Sequence, residues 1–170
     1  CGKGEFLGLL CRVGGNEGLG YDPGFVPGRL ADAENRIRVI REFFDENSGP
    51  LACDFLCCKM TFEHIPNVGG FLRLVRQALG AQEATRVFFQ VPDAGRILRE
   101  AAFWDIYYEH CSYFTAASLR ALFERRGFAV ERTWTDYDDQ YLMVEARPLR
   151  DGQDAAATPQ ALADVADHHR

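Results

Sequence analysis

The alternation of apolar and polar residues along the chain predicts helices that alternate with strands. Four apolar residues at helical spacing predict the buried stripe of a first helix: Phe6, Leu9, Leu10 and Val13. Short apolar runs bounded by glycine, proline or polar residues predict strands. These runs lie at 19–22, 37–40, 55–58, 87–91, 128–135 and 141–146. Further helices are expected over 71–79 and after Thr115, which is a suitable N-cap residue.

The character of these runs predicts the type of sheet. The run at 55–58 is apolar at every position, which is typical of a strand covered on both faces of a parallel sheet. The last two strands are joined by the short polar turn 136–140, which permits only antiparallel pairing. We therefore predict an α/β fold, with a Rossmann-like, doubly wound and mostly parallel sheet that ends in a C-terminal antiparallel hairpin. The domain is expected to span 1–148, followed by a polar tail at 149–170.

Composition narrows the classes of partner. The 170 residues are 47% apolar, which is enough for one compact core. The net charge of −6 argues against nucleic acid as a partner, because phosphate binding requires a basic surface. No apolar stretch approaches the roughly 20 residues that a membrane span needs, so no membrane partner is predicted. The six cysteines form no C-x-x-C pair, and reduced thiols in a cytoplasmic protein are the preferred interpretation.

The chain opens on a glycine loop that leads into the first predicted helix. Gly2 and Gly4 let the backbone approach a ligand closely, and a helix N-terminus favours an anion. Asp22 ends the first predicted strand, roughly 20 residues downstream, where doubly wound folds hold the two hydroxyl groups of a ribose. We therefore predict that Gly2, Gly4 and Asp22 bind a cofactor that contains a nucleoside. The alternative is an ordinary glycine turn and a turn aspartate.

Two blocks of sequence resemble the class I S-adenosylmethionine-dependent methyltransferases. Asp54–Pro66 (DFLCCKMTFEHIP) resembles the motif at the fourth strand of that superfamily, and 102–114 (AFWDIYYEHCSYF) resembles the E-H-x-x-Y-F block of its sugar C-methyltransferase-like branch. The likeness runs from Cys1 to about Pro148. The strand that precedes the glycine loop in the superfamily is missing here. We therefore expect a longer polypeptide, of which this chain is a part that is truncated at the N-terminus and lacks the first strand.

The resemblance implies S-adenosylmethionine as the cofactor and a small polar metabolite as the methyl acceptor, such as a carbon atom of a nucleotide-linked sugar. Methylation of an oxygen atom is the open alternative, and His110 would serve it as base. Besides the glycine loop and Asp22, two further positions are expected at the cofactor. Glu42 lies where the superfamily often has an acid near the adenine amino group. Met60 is expected to contact the cofactor through its backbone. It belongs to the pair Lys59-Met60, where the branch tends to have Arg-His.

The catalytic prediction centres on His110. Methylation of carbon requires the removal of a proton, and histidine is the side chain that titrates near neutral pH. The resemblance implies that Glu109 and Tyr107 orient His110 or bind the acceptor. A structural histidine in an aromatic cluster is the alternative, and that cluster is either core or a flat wall for the substrate.

Other interpretations concern the second acid–histidine pair and the chain as a whole. Glu63 and His64 are more typical of loop geometry than of catalysis, and because no acid or thiol lies at metal spacing from the histidines, no catalytic metal is predicted. The chain could instead be a non-catalytic Rossmann-like module of a larger protein. A nicotinamide-binding oxidoreductase is disfavoured because Leu7 stands where a third glycine belongs. No oligomeric state is predicted.

Overall fold

The computed structural model describes residues 1–27 and 36–150. The chain divides into two compact units, Cys1–Ser48 and a second that begins at Gly49. In the first unit, helix α1 (Glu5–Gly14) precedes two parallel strands, β1 (Gly18–Tyr21) and β2 (Ile37–Ile40). The predicted first helix and first two strands are therefore confirmed. Most of the predicted 149–170 tail lies outside the described residues.

Helix α1 buries a different face from the one that the sequence predicted. Three of the four residues of the predicted stripe are exposed, namely Phe6, Leu9 and Val13. The buried residues are Gly8 and Cys11 instead. A Cβ added to Gly18 of β1 would lie 2.7 Å from Cys11 Sγ and 2.8 Å from a Leu7 methyl group. The helix therefore packs through Leu7 and Cys11 because β1 has no side chain at the point of contact.

The second unit contains a four-stranded mixed sheet. Its strands are β3 (Phe55–Lys59), β4 (Arg86–Pro92), β5 (Phe128–Asp136) and β6 (Tyr141–Pro148). They lie in the order β3-β4-β6-β5, with β3 and β4 parallel and β6 antiparallel to both of its neighbours. The predicted C-terminal hairpin is confirmed. Within the described residues, however, two strand pairs are parallel and two are antiparallel, because β6 inserts between β4 and β5. The expected predominance of parallel pairing is therefore not observed.

Three helices accompany this sheet. They are α2 (Val68–Leu79), α3 (Ala94–Glu100) and α4 (Ala116–Glu124). Thr115 caps α4 as predicted, in a reciprocal capping box with Ser118. Helix α3 was not predicted, although Asp93 caps it by accepting the N–H groups of Gly95 and Arg96. None of the described helices combines the length and the apolar character that a membrane crossing requires.

Strand β3 is less covered than its apolar sequence predicted. It is an edge strand of its sheet, and Phe55 is 44% exposed. No second partner strand for β3 exists among the described residues, and the predicted absence of a first strand stays a prediction. All six cysteines are free thiols. Burial raises the pKa of Cys57 to about 11 and that of Cys58 to about 12, so both remain protonated and unreactive at neutral pH.

Strand β5 forms the opposite edge of the sheet and carries charged side chains. A bulge interrupts its pairing with β6 between Val130 and Arg132. Ion pairs connect the exposed positions of β4, β5 and β6: Arg86–Glu131, Arg147–Glu131 and Arg132–Glu145. The guanidinium of Arg132 also lies 4.2 Å from the ring centroid of Trp134. Each exposed pair adds little stability by itself, so this edge is defined mainly by its charge and its bulge.

An aromatic core holds the second unit together. Phe62, in the short 3-10 turn Phe62–His64 that follows β3, is fully buried. Its ring contacts the rings of Phe71, Phe89, Phe114 and Phe123. These rings come from α2, β4 and α4 and from the segment before α4, so one side chain connects most elements of the unit.

We expect replacement of Phe62 by alanine to lower the free energy of unfolding by about 3–5 kcal/mol, because it leaves a cavity among four aromatic rings. Chemical denaturation of the wild type and of F62A measures the difference. The control is Leu98→Ala, at a position on α3 that is 62% exposed, where the change should stay within about 0.5 kcal/mol. Similar losses in the two variants would show that Phe62 is not the centre of the core.

Candidate functional site

Asp22 lies directly after β1 and contacts the glycine loop. Its carboxylate accepts the N–H of Gly2 at 2.6 Å and the N–H of Gly24 at 2.8 Å. Burial opposes ionisation of Asp22, but the hydrogen bonds that its carboxylate accepts, among them those from Gly2 and Gly24, outweigh it and hold the pKa of Asp22 below its ordinary value. Two of the predicted cofactor-binding residues, Gly2 and Asp22, are therefore in direct contact.

The glycine loop differs in one respect from the expectation. The N–H groups of Gly2 and Gly4 were expected to face a ligand, yet both have internal acceptors, the Asp22 carboxylate and the Cys1 carbonyl. Gly4 has a φ of 78°, a conformation that favours glycine, and as N-cap residue it supplies no side-chain hydrogen bond. The first-turn N–H groups of α1 are therefore the donors that can bind an anion at this loop.

Glu42 follows β2 at the same edge of the sheet as Asp22. The register of the two parallel strands pairs Tyr21 with Ile40, and the Asp22 N–H donates to the Ile40 carbonyl at 3.0 Å. Glu42 is exposed and lies two residues after Ile40, the last paired residue of β2. Both acids thus lie beyond the carboxyl ends of parallel strands, which is where ligands bind in doubly wound folds.

Met60 directly follows β3 in the second unit. It has a φ of 50°, a left-handed conformation that a residue other than glycine seldom adopts. Its N–H donates to the Gln90 carbonyl at 2.9 Å, so pairing with β4 continues through the bend. Strained residues of this kind concentrate at functional sites. The bend directs the chain into the turn that carries Phe62 and Glu63.

Three side chains converge beside this turn, and we call Glu63, His64 and His110 the acid–histidine cluster. One carboxylate oxygen or ring nitrogen from each lies within 4.8 Å of the others. The His64 and His110 ring centroids are 4.9 Å apart, and His64 Nε2 is 3.9 Å from Glu63 Oε1. The expectation that no acid lies near two histidines is therefore wrong. The absence of a catalytic metal stays a prediction.

Backbone contacts fix the cluster. The N–H groups of Cys111 and Ser112 both donate to the Glu63 carbonyl, at 2.7 and 3.2 Å. Beside them, the rings of Phe62 and Phe114 stack with centroids 5.2 Å apart. The loop after β3 and the segment that carries His110 are thus held together from both sides of the cluster.

The three members of the cluster differ in their environment. Glu63 is fully buried, and this burial raises the pKa of its carboxyl group, while the positive charge that His64 and His110 can carry opposes the increase. His64 Nδ1 lies 3.1 Å from the carbonyl oxygen of Glu109. A carbonyl can only accept a hydrogen bond, so Nδ1 of His64 carries a hydrogen and its Nε2 faces Glu63.

The predicted catalytic residues Tyr107, Glu109 and His110 occupy one short segment with different surroundings. The Tyr107 and Tyr113 rings flank His110, with centroids at 5.2 and 5.7 Å. The carboxylate of Glu109 instead accepts a hydrogen bond from Tyr108 and raises the pKa of that phenol. Glu63 is the acid in the cluster with His110, whereas the sequence favoured a role in loop geometry over catalysis for it.

The aromatic segment 103–108 precedes this site and is not part of the core. Its exposed residues are Phe103, Trp104, Ile106, Tyr107 and Tyr108. The sequence left open whether the aromatic cluster around His110 forms core or a wall for a substrate, and Phe114 of that cluster is part of the core. The exposure of the side chains in the segment 103–108 excludes the first alternative for this segment.

Residues 1–133 match the model of a family described as a methyltransferase domain. The chain belongs to this family. The prediction of a class I S-adenosylmethionine-dependent methyltransferase is thereby confirmed at the level of family. No curated protein sequence matches the chain.

Solved methyltransferase structures share the fold. The N,N-8-amino-8-demethyl-D-riboflavin dimethyltransferase RosA from Streptomyces davawensis is 21% identical with a TM-score of 0.69, over 86% of this chain and 47% of RosA. The methyltransferase SibL, in its apo form, is 19% identical with a TM-score of 0.67, over 88% of this chain and 48% of SibL. The O-methyltransferase NcsB1 of neocarzinostatin biosynthesis, in complex with S-adenosylmethionine, is 20% identical with a TM-score of 0.63, over 87% of this chain and 46% of NcsB1. The chain thus spans about half the length of these proteins.

We expect the effect of Glu63→Gln on stability to depend on pH. A raised pKa in the folded state means that wild-type stability is full below the unfolded pKa of Glu63 and declines as the pH rises through its folded pKa. Glutamine does not titrate, so the unfolding free energy of E63Q relative to the wild type should increase between pH 4 and pH 8. Denaturation curves at both pH values test this, with Glu83→Gln, at a half-buried position, as control. A difference that does not change with pH would contradict the burial of an ionisable Glu63.

Proposed function

We propose that this chain forms the cofactor-binding and catalytic part of a cytoplasmic S-adenosylmethionine-dependent methyltransferase. The acceptor is a small polar metabolite, with a carbon atom of a nucleotide-linked sugar as the preferred site of methylation. The acid–histidine cluster is the observation that carries the proposal. A non-catalytic module has no need of a buried carboxyl group next to two histidines, because burial of that carboxyl group costs free energy.

The first unit supplies the groups that suit the cofactor. Asp22 is an ionised acceptor at the end of β1, suited to a ribose diol, and the N-terminus of α1 is suited to a carboxylate. Besides the hydrogen bonds from Gly2 and Gly24, the Asp22 carboxylate has a further lone pair that can accept a ribose hydroxyl. Glu42 and Met60 remain proposed contacts, at the ends of β2 and β3. When bound, S-adenosylmethionine supplies an activated methyl group, so the protein mainly has to align and deprotonate the acceptor.

The second unit supplies the groups that suit the acceptor. His110 is the proposed base, and Tyr107 beside it can donate a hydrogen bond to a sugar hydroxyl or carbonyl. The exposed rings of the segment 103–108 are apolar faces on which a sugar or base ring can stack. Glu109 contributes through its backbone carbonyl, which orients the His64 ring.

Replacement of Asp22 by alanine should weaken binding of S-adenosylmethionine by about 1–3 kcal/mol, the scale of hydrogen bonds to a charged group. Isothermal titration of the full-length protein measures the affinity. The matched control is Glu17→Ala, which removes one exposed acid from the same unit and should leave affinity unchanged. Unchanged affinity in D22A would exclude the ribose role, and no heat with the wild type would exclude the methyltransferase proposal.

Replacement of His110 by asparagine should lower turnover by roughly 10²–10⁴, because it removes a general base, with binding of S-adenosylmethionine retained. Methyl transfer to a nucleoside diphosphate-linked keto sugar is the assay. Serine in place of Cys111 is the control, since its thiol contacts only backbone carbonyls. Full activity in H110N would place proton abstraction elsewhere.

A further inference from the structure

Two buried polar groups of the acid–histidine cluster have no hydrogen-bond partner. Neither carboxylate oxygen of Glu63 is hydrogen-bonded, and neither is Nδ1 of His110; all three atoms are inaccessible to solvent. In the part of the chain that the structure describes, only one other side-chain atom shares this state. A buried polar group without a partner costs about 1–3 kcal/mol, so proteins seldom retain one without a purpose.

The two groups are chemically complementary. A carboxylate accepts hydrogen bonds, and a neutral imidazole donates from one of its nitrogens. The other histidine is a poorer donor to Glu63, because its Nδ1 already carries the hydrogen that faces the Glu109 carbonyl. Neutral His64 therefore presents the lone pair of Nε2 to Glu63 Oε1, at 3.9 Å. This leaves Nδ1 of His110 as the natural donor to the Glu63 carboxylate.

The backbone permits this contact with side-chain rotation alone. Glu63 is tied to the residue after His110 by the Cys111 N–H bond of 2.7 Å. The Phe62 ring, fully buried among its aromatic neighbours, prevents the turn from moving. One carboxylate oxygen of Glu63 and one ring nitrogen of His110 lie within 4.8 Å of each other, so rotation of the Glu63 side chain and of the His110 ring is the movement that would bring Nδ1 to hydrogen-bond distance.

We propose that Glu63 is the positioning residue of His110: its carboxyl group and His110 Nδ1 share one proton, which leaves Nε2 of His110 as the base. This inference rests on the proposed function. In the proton transfer that it serves, the bond between the acceptor and its hydrogen breaks, the electron pair stays on the acceptor, and the proton binds Nε2. His110 then carries a positive charge that the Glu63 carboxylate stabilises, as in carboxylate–histidine pairs of other enzymes.

The remaining titratable groups that face the pair are few. His64 and Cys58 lie near Glu63, and Tyr107 and Tyr113 flank the His110 ring. The Cys58 thiol stays neutral over the working range, since burial raises its pKa to about 12. Glu63 is therefore the residue whose replacement acts directly on Nδ1 of His110.

The decisive experiment is nitrogen NMR of the histidine rings in the full chain, for the wild type, Glu63→Gln and the control Glu83→Gln. We expect neutral His110 to be the Nδ1–H tautomer in the wild type and in E83Q. In E63Q we expect a mixture of tautomers, because an amide can either accept a hydrogen bond from Nδ1 or donate one to it. A neutral His110 that carries its hydrogen on Nε2 in the wild type would overturn the proposal, even if E63Q does not fold.

Kinetics with a nucleoside diphosphate-linked keto sugar give a second readout. E63Q should lower kcat by roughly 10-fold or more and move the acidic limb of its pH profile to lower pH, with affinity for S-adenosylmethionine within about twofold of the wild type. An unchanged profile would overturn the proposal. So would activity that is lost on chelation and restored by a divalent cation, because Glu63 would then be a ligand. If the wild type transfers no methyl group, the proposed function fails and the tautomer alone decides the pairing.

Discussion

The Glu63 carbonyl is the acceptor on which the arrangement of the second unit depends. It receives two N–H groups, from Cys111 and Ser112, and thereby joins segments almost 50 residues apart in sequence. Neither segment belongs to a long helix or strand, so these hydrogen bonds and the stacked rings of Phe62 and Phe114 together set their positions. Because Glu63 is fully buried, its carbonyl oxygen is shielded from water, which strengthens the hydrogen bonds that it accepts. The geometry of the histidines follows from this junction.

The sequence predicted most elements of this fold because their signals are local. Thr115 caps α4 through neighbouring atoms, and the turn at 136–140 permits only a hairpin. Packing depends on distant residues and was predicted less well. The apolar stripe of α1 lies on the exposed face because glycines in β1, which periodicity does not detect, accept Leu7 and Cys11 instead. Helix α3 has only seven residues, too few for a periodic pattern to emerge.

The candidate site shows the same limit. The resemblance to known methyltransferases led to His110 and its neighbours, and the spacing of glycines and acid led to Gly2 and Asp22. Glu63 is in the matched motif, but its burial beside His110 depends on a contact between two segments that no local pattern records. The burial of a carboxyl group is recognised only from the folded state, since its sequence neighbours, Phe62 and His64, do not show which side chain of the turn is buried.

The bulged, charged edge at β5 has a consequence for association between molecules. A strand from another chain could extend the sheet there only by aligning with a backbone whose ladder is interrupted between Val130 and Arg132. It would also have to separate or bury Glu131 and Arg132 from their ionic partners. Both requirements cost free energy, so β5 protects the protein against growth of the sheet into fibrillar aggregates.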